Sequence, residues 1–572
     1  MKKTGSVKMN NGNEDFFRRD RFLASVSQRT VCTYLTVAGI AGVLLAAPHS
    51  ARALNLYDGS QYGNNLEINL SMTFSYTGAV RVNNPSKILL DGSSNANGND
   101  SDANFRYGLV NNLFDVLPVL DVRDGQYGAH VSGEAYLNTV YLGTNQNNQP
   151  GTLNSYSVAK NTDFTSATRN AEGQNARLLD AFVYGGHIFG DGQSLQLKFG
   201  RQTLLWGQSL FFAGNGIAAG QAPIDVIQAE NLVNPEAQQV YMPIGQAVLT
   251  YNPIASLTIQ GYYQFEWEPD NLQAAGAYFN STDILDKGGQ RIIVLPGTPN
   301  YYDLRIKDIR PPINNGQFGL AVQDTLGEYD VGIYALRYDS KTPEVYNSLP
   351  SPYTPTPGGL AVGYYRLVYP RDIWIYGTSL STTLGPANVA GEVSFRSHMP
   401  LVGNSALAGY DPQNSINANA HPLYPIGDTM HAQASFIYVS PSLPLDPGGI
   451  TWDGEVEFNH LLHVTENRDL LAIGRQASAA AFDTVITPTY NDVLPHLQLT
   501  FPIGLTYDVL GRSETDISMQ HGNGVFNVGV TATYEENWIA SVAYQDYLGK
   551  PNPVYNGLAD RGYVTLNLQH TF

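Results

Sequence analysis

Tyr563-Val564-Thr565-Leu566-Asn567-Leu568-Gln569-His570-Thr571-Phe572 places Tyr, Thr, Asn, Gln and Thr at odd positions and Val, Leu, Leu, His and Phe at even ones. A strand built here has one wet face and one mostly oily face. On a soluble protein, such an oily row at an unprotected edge invites pairing with other chains. A closed barrel in a bilayer has a use for it: the edge pairs with the first strand, the oily row meets acyl chains, and the last ring sits at the interface. Val564, Leu566, Leu568 and Phe572 are therefore the expected closure and assembly residues, and His570 is the one polar member of their row. The competing reading is an edge strand of a soluble sandwich.

The far end of the chain offers a matching strand. Leu66, Ile68, Leu70, Met72, Phe74 and Tyr76 alternate with Glu67, Asn69, Ser71, Thr73 and Ser75, a length that suits the ~9–11 residues of a tilted membrane-spanning strand. Two terminal strands with full oily faces are what closure requires, since neither can remain an edge.

Upstream of that strand, Lys2, Lys3, Lys8, Arg18, Arg19, Arg21 and Arg29 precede an uncharged run from Val31 to Pro48 and the small-x-small step Ala51-Arg52-Ala53. The pattern predicts a secretory signal peptide over 1–53, cleaved near Ala53, and a single mature domain over 54–572. The one cysteine, Cys32, falls inside that leader, so the mature chain offers no disulfide framework and no thiolate metal ligand. Cleavage leaves 24 basic against 47 acidic residues, a formal balance near −23. Such a balance argues against nucleic acid, whose binding depends on Lys and Arg at phosphates. No later apolar run reaches the ~20 residues of a transmembrane helix, so a membrane would be crossed by strands. With 14% charged residues, 56 Gly and 36 Tyr, the chain has a folded, turn-rich, aromatic composition rather than a disordered one.

Between its two ends the chain repeats one unit: two alternating strands on a short turn, then a long polar loop. Short turns are expected at Gly190–Gln193, Asn252–Ala255, Leu326–Glu328, Gly385–Asn388 and Glu535–Trp538, and long loops at 78–104, 143–176, 202–238, 269–316, 341–371, 398–428, 465–477, 509–523 and 548–561. Short periplasmic turns alternating with long extracellular loops define an all-β, transmembrane antiparallel β-barrel of the Gram-negative outer membrane. About seventeen strands are clear, and an even count is required. Reading Ala477–Thr489 as a poorly patterned strand gives 18, which is favoured over 16.

Several stretches resemble a known family. Leu197-Lys-Phe-Gly-Arg-Gln-Thr-Leu-Leu-Trp-Gly-Gln208, Pro223-Ile-Asp-Val226, Tyr263-Gln-Phe-Glu-Trp-Glu-Pro269, Asp372-Ile-Trp-Ile-Tyr-Gly377, Gly391-Glu-Val-Ser-Phe-Arg396 and Asp560-Arg-Gly-Tyr-Val564 together look like the proteobacterial outer-membrane β-barrel family catalogued as domain of unknown function thirteen-oh-two. The resemblance spans nearly all of the mature chain and departs from the family in the loops and at His570. It implies an outer-membrane barrel for export or uptake of apolar organic or lipid-like compounds, in a family without a settled activity.

Chemistry, if present, belongs to the lumen. Strand parity turns Glu266, Glu268, Glu392, Glu455 and Glu457 inward to face Arg201, Arg337 and Arg396, and opposite charges across a constriction sort permeants by charge and dipole. Loop 202–238 carries Leu204, Leu205, Trp206, Phe211, Phe212, Ile217, Pro223 and Ile227 beside Asp225 and Glu230. A loop so apolar is expected to fold into the barrel and narrow it, with aromatics beside a few polar anchors. The bland counterpart is that the charges satisfy one another in a wet lumen and the loop packs for stability. No metal or cofactor is implied: His460 and His463 have the wrong spacing and no following Glu, and Gly214, Gly216 and Gly220 make a flexible loop rather than a nucleotide cradle. There is no Gly-x-Ser-x-Gly elbow. The preferred function is a channel or transporter for small, partly apolar solutes. The expected partners are outer-membrane lipid, the barrel assembly machinery and a small-molecule solute. A plugged barrel docking periplasmic export partners is second, and an outer-membrane hydrolase third, with no enzyme activity expected.

Overall fold

The terminal strands do pair with each other. In the computed structural model, which describes residues 54–149, 153–158, 160–190, 192–285, 287–295, 301–312, 316–348, 354–356, 359–404, 409, 421–440 and 448–572, Thr73↔Thr571 through Arg81↔Tyr563 form one antiparallel ladder. The expected signal peptide and its cleavage site lie outside the described residues.

The wall begins with β1 Leu66–Arg81, β2 Gly108–Asp124, β3 Tyr127–Asn138, β4 Gln174–Ile188, β5 Ser194–Gln202 and β6 Ile244–Ile254. It continues through β7 Leu257–Gln264, β8 Gln317–Leu326, β9 Tyr329–Tyr338, β10 Ile373–Leu384, β11 Ala387–Pro400 and β12 Ile426–Val439. Then follow β13 Ile450–Glu466, β14 Ser478–Leu494, β15 in two pieces (Leu497–Thr500 and Ile503–Leu510), β16 Gly524–Tyr534, β17 Trp538–Leu548 and β18 Tyr563–Thr571. Proline at 502 supplies no ladder N–H and divides β15. The barrel closes with 18 antiparallel strands, so the weakly patterned stretch beginning near Ala477 is a strand and 16 is excluded. One connection on the periplasmic side, 440–449, is longer than the turn pattern anticipates.

Alternation sorts the two faces. Along β18, Tyr563, Thr565, Asn567 and Gln569 are buried, while Val564, Leu566 and Leu568 are exposed. Leu197, Phe199, Leu249, Tyr263, Leu320, Ile333, Leu380, Phe395 and Val456 continue the exposed apolar band around the wall. With each strand paired on both sides, backbone polar groups are satisfied inside the sheet, and the band can meet hydrocarbon.

Two devices complete the seam. Because β18 is shorter than β1, the lower part of β1 would remain an edge, and Leu54–Asp58 covers it through Leu54↔Leu70 to Asp58↔Glu67. His570, the polar exception, stacks on Trp538 with centroids 4.0 Å apart, meets Phe572 edge-on at 4.3 Å, and lies with Nδ1 3.1 Å from the Asn537 carbonyl oxygen. Phe572 in turn packs edge-on against Phe74 at 5.8 Å, and its N–H donates to the Met72 carbonyl at 3.0 Å. An imidazole here behaves as a third ring of an interfacial girdle, with its polar edge turned to the backbone. Deleting Phe572 is expected to lower the yield of heat-modifiable barrel in outer-membrane fractions well below that of His570→Tyr, which keeps a ring. Equal yields would remove Phe572 from the closing role.

Above the seam the extracellular loops turn inward. Arg291–Ile293, Tyr301–Arg305, Glu344–Ser348, Thr354–Thr356 and Gly359–Val368 form a separate five-stranded sheet from the loops that follow β7 and β9. Phe105, Tyr141, Phe164, Trp267, Tyr278, Ile284 and Tyr365 build an aromatic core with them.

Candidate functional site

Gln202 ends β5, and the chain does not rejoin the wall until Ile244 begins β6. The loop is longer than the expected 202–238 because Ala237–Val240 forms a helical turn rather than the start of a strand. Its apolar residues are buried: Trp206, Phe211, Phe212, Ile217 and Ile227 are each at most 5% exposed. Burial of this kind in a lumen requires that every loop N–H and C=O find a partner, and the opposite wall supplies them.

The first part of the loop is anchored to β7, β9 and β11. Trp206 lies against Tyr262 and Tyr334 at 5.0 and 5.9 Å, and its Nε1 donates to Gln260 Oε1 at 2.6 Å. At Gly207 φ is +99°, and a side chain there would strike the Glu392 carboxylate. That left-handed, close approach is open to glycine alone. It lets Glu392 accept from the N–H of Gln208 at 2.6 Å and of Ile217 at 2.9 Å, with Gln433 Nε2 completing the set at 2.9 Å.

The tip then reaches β13 and β14. Glu455 accepts the N–H groups of Leu210 at 3.1 Å, Phe211 at 2.5 Å and Phe212 at 2.9 Å, while both rings pack on Ala479, Ala481 and Val485. Arg396 Nη2 takes three successive carbonyls, from Gly214 (3.1 Å), Asn215 (2.7 Å) and Gly216 (2.9 Å). The stretch read as a flexible loop is thus fixed against the wall, and a side chain at Gly216 would strike Glu392 and Gln433. Asn215 is also held at 2.7 Å by His431.

The return leg crosses back. Asp225 caps Val226–Asn231 by accepting the Gln228 N–H at 2.9 Å, and pairs with Arg177 of β4. Arg177 also pairs with Glu134 of β3 at 2.7 Å, and Gln239 Nε2 bridges Glu134 and Asp115 at 2.6 and 3.3 Å. Asn231 is tied to β2 through its carbonyl, which accepts from Asn111 Nδ2 at 2.8 Å. Glu230 faces β17, where Tyr547 Oη donates to Oε2 at 3.4 Å. Burial pushes the Glu230 carboxyl up to about 8 against that hydrogen bond. The loop therefore spans the barrel from wall to wall.

Of the nominated residues, Trp206, Asp225, Glu230, Glu392, Arg396 and Glu455 come together around this loop, and Glu457 is buried on the same inward face of β13. Four others face the wrong way for a lumen. Arg201 shares its side of β5 with the exposed Leu197 and Phe199, and pairs there with Glu266 at 2.6 Å and Glu268 at 3.2 Å. Beyond Gln264 the chain leaves the sheet and its parity slips, so Trp267 turns into the core and the two glutamates turn out to Arg201. A one-residue slip exchanges faces. Arg337 lies on the outward side of β9 with Ile333, since Tyr334, Leu336 and Tyr338 take the buried side, and it pairs with Asp372 at the rim. The corrected Arg201, Glu266, Glu268 and Arg337 form rim clusters, not a transverse field.

Sequence reasoning missed Glu134 and Arg177. A charge on the inward side of a strand pair that otherwise carries few charges was the available signal.

Two cavities flank the loop. One, of about 170 Å³, lies on the extracellular side among Ala218, Tyr338, Lys341, Met399 and Ile517. Burial draws Lys341 down to about 8, although Asp270 and Asp339 oppose the shift. The other, of about 480 Å³, lies between Ala229–Pro235 of the loop and the lower wall, lined by Thr487, Thr489, Thr500, Thr531 and Ser541.

The family model described as Protein of unknown function (DUF1302) matches residues 34–572. No curated protein matches the chain. Among solved structures, the chain is similar to Acinetobacter baumannii OccAB3 at 10% identity, covering 88% of this chain and 99% of that one with a TM-score of 0.41. It is similar to Acinetobacter baumannii OccAB4 at 8% identity, 92% and 100% coverage and 0.42. A BenF-like porin from Pseudomonas fluorescens Pf-5 stands at 10% identity, 89% and 98% coverage and 0.39. Likenesses this distant leave the site to be read from the chain's own residues.

Proposed function

Starting from a chain that belongs to the DUF1302 family of proteins of unknown function, we propose an outer-membrane channel for small, partly apolar organic solutes, narrowed by the loop between Gln202 and Ile244. The observation that carries this reading is the wall-to-wall loop with a cavity on either side, of about 170 and 480 Å³. The larger volume falls in the range of small-molecule sites, and its lining mixes hydroxyls with Leu232, Val240, Val485 and Ile539. A passage with apolar walls and a few fixed polar groups favours solutes that need only partial dehydration.

The density of the anchoring by Glu392, Glu455 and Arg396 favours a second reading, in which the loop is a permanent plug and the barrel docks partners. Planar-bilayer recording of the purified barrel separates the two. Discrete conductance steps are expected, and their complete absence, with silent liposome swelling for small alcohols and aromatic acids, would leave the plugged barrel. Growth of a deletion strain on a panel of apolar carbon sources would then narrow the solute.

A further inference from the structure

The lining of the larger cavity includes acidic and aromatic side chains. Glu230 lines it, is 6% exposed, and has no partner for Oε1. Its other oxygen meets only the long 3.4 Å hydrogen bond from Tyr547. Phe279 and Tyr563 line the same cavity, their rings 5.2 Å apart and nearly perpendicular. Thr487 Oγ1, Ser541 Oγ and Asn231 Oδ1, in residues that also line it, have no hydrogen-bond partner. Among the described residues, no Lys, Arg or His lines this cavity.

A buried carboxylate without a counter-cation is costly, and the cost falls away once a positive charge arrives. Aromatic faces attract cations, most strongly where water is excluded. We propose that this cavity is a binding site for organic ammonium compounds, with Glu230 as the charge partner and Phe279 and Tyr563 as aromatic walls. An anion would find no basic partner, and a neutral solute would do nothing to favour the ionised form of Glu230 that burial disfavours, whereas an ammonium group would draw the proton off and pair with the carboxylate. The amides and hydroxyls serve the polar substituents of the same ligand. The inference rests on the channel reading for the ligand's route and deepens it by naming the solute class.

Calorimetry on the purified, detergent-held barrel tests it with choline and with choline's neutral isostere, in which carbon replaces nitrogen. Choline is expected to bind roughly tenfold or more tightly than the isostere, and Glu230→Gln is expected to weaken choline by a similar factor. Equal affinity for the two probes on the native barrel overturns the proposal, whatever the variant does. So does competition by potassium at equal concentration, which would mark a simple inorganic cation site. Choline binding without bilayer conductance keeps this site and removes the channel. Conductance with indifference to choline does the reverse.

Discussion

Replacing Arg561 with leucine is expected to abolish most heat-modifiable barrel, because this guanidinium joins three loops at the extracellular end of the seam. It is fully buried, with Nε 3.0 Å from Asp102 and 3.3 Å from Asp560, and those carboxylates also pair with Arg81 at 2.9 and 3.3 Å. Its remaining nitrogens donate to the Tyr278 carbonyl and, at 2.8 Å, to Ser101 Oγ. The Tyr278 ring covers the Arg561 guanidinium at 5.5 Å, and Tyr278 Oη donates to the Arg561 carbonyl at 2.8 Å. Leucine would leave two buried carboxylates sharing one cation. Breaking a buried pair in this way costs about 3–5 kcal/mol. Denaturant unfolding followed by heat-modifiability measures the loss, and lysine should recover only part of it, since it keeps the charge without the planar fork. Adding Asp102→Asn should recover part of the leucine loss by removing one uncompensated charge. An Arg561→Leu barrel with an unchanged unfolding midpoint would mean that the cluster contributes nothing to closure.

That cluster also marks where sequence reading stops. Val564, Leu566 and Leu568 announced their lipid face through simple alternation, and the even strand count together with the length of the connection 465–494 pointed to a strand at Ala477–Thr489, where Ser478–Leu494 stands. Both are local or arithmetic signals. The apolar content of Trp206, Phe211 and Phe212 likewise predicted that their loop would leave water, because no exposed loop keeps such a row. Sidedness was another matter. Glu266 and Glu268 look inward if the alternation of β7 is continued past Gln264, and only the three-dimensional exit of the chain from the sheet turns them out to Arg201, which the alternation of β5 already places beside Leu197 and Phe199. Asp102 and Arg561 lie 459 positions apart in sequence, and no local pattern encodes such a meeting. Leu54–Asp58 was silent for a related reason: its task depends on where β18 ends against β1.

Glu455→Ala should convert the lumen from constricted to open. One carboxylate accepts the N–H groups of Leu210, Phe211 and Phe212, so its loss leaves three donors without partners at the point where the loop touches the far wall. Unmet buried donors cost about 1–3 kcal/mol each, more than the packing of two rings against alanines can hold in place. The tip is therefore expected to swing away, while Glu392 and Arg396 still hold the residues on either side of it. Single-channel conductance should rise severalfold and become noisier. The unfolding midpoint should move little, because β12–β13 and β13–β14 pairing does not involve the side chain. Glu455→Gln keeps one acceptor oxygen but brings two donors toward the same N–H groups, so its conductance should fall between the two. This outcome does not depend on whether the native barrel conducts: a plugged barrel would begin to pass current, and a channel would widen. Native-like conductance in the alanine protein would show that the loop is held by packing alone, and the charges inside this barrel would then lose the structural role that their geometry assigns to them.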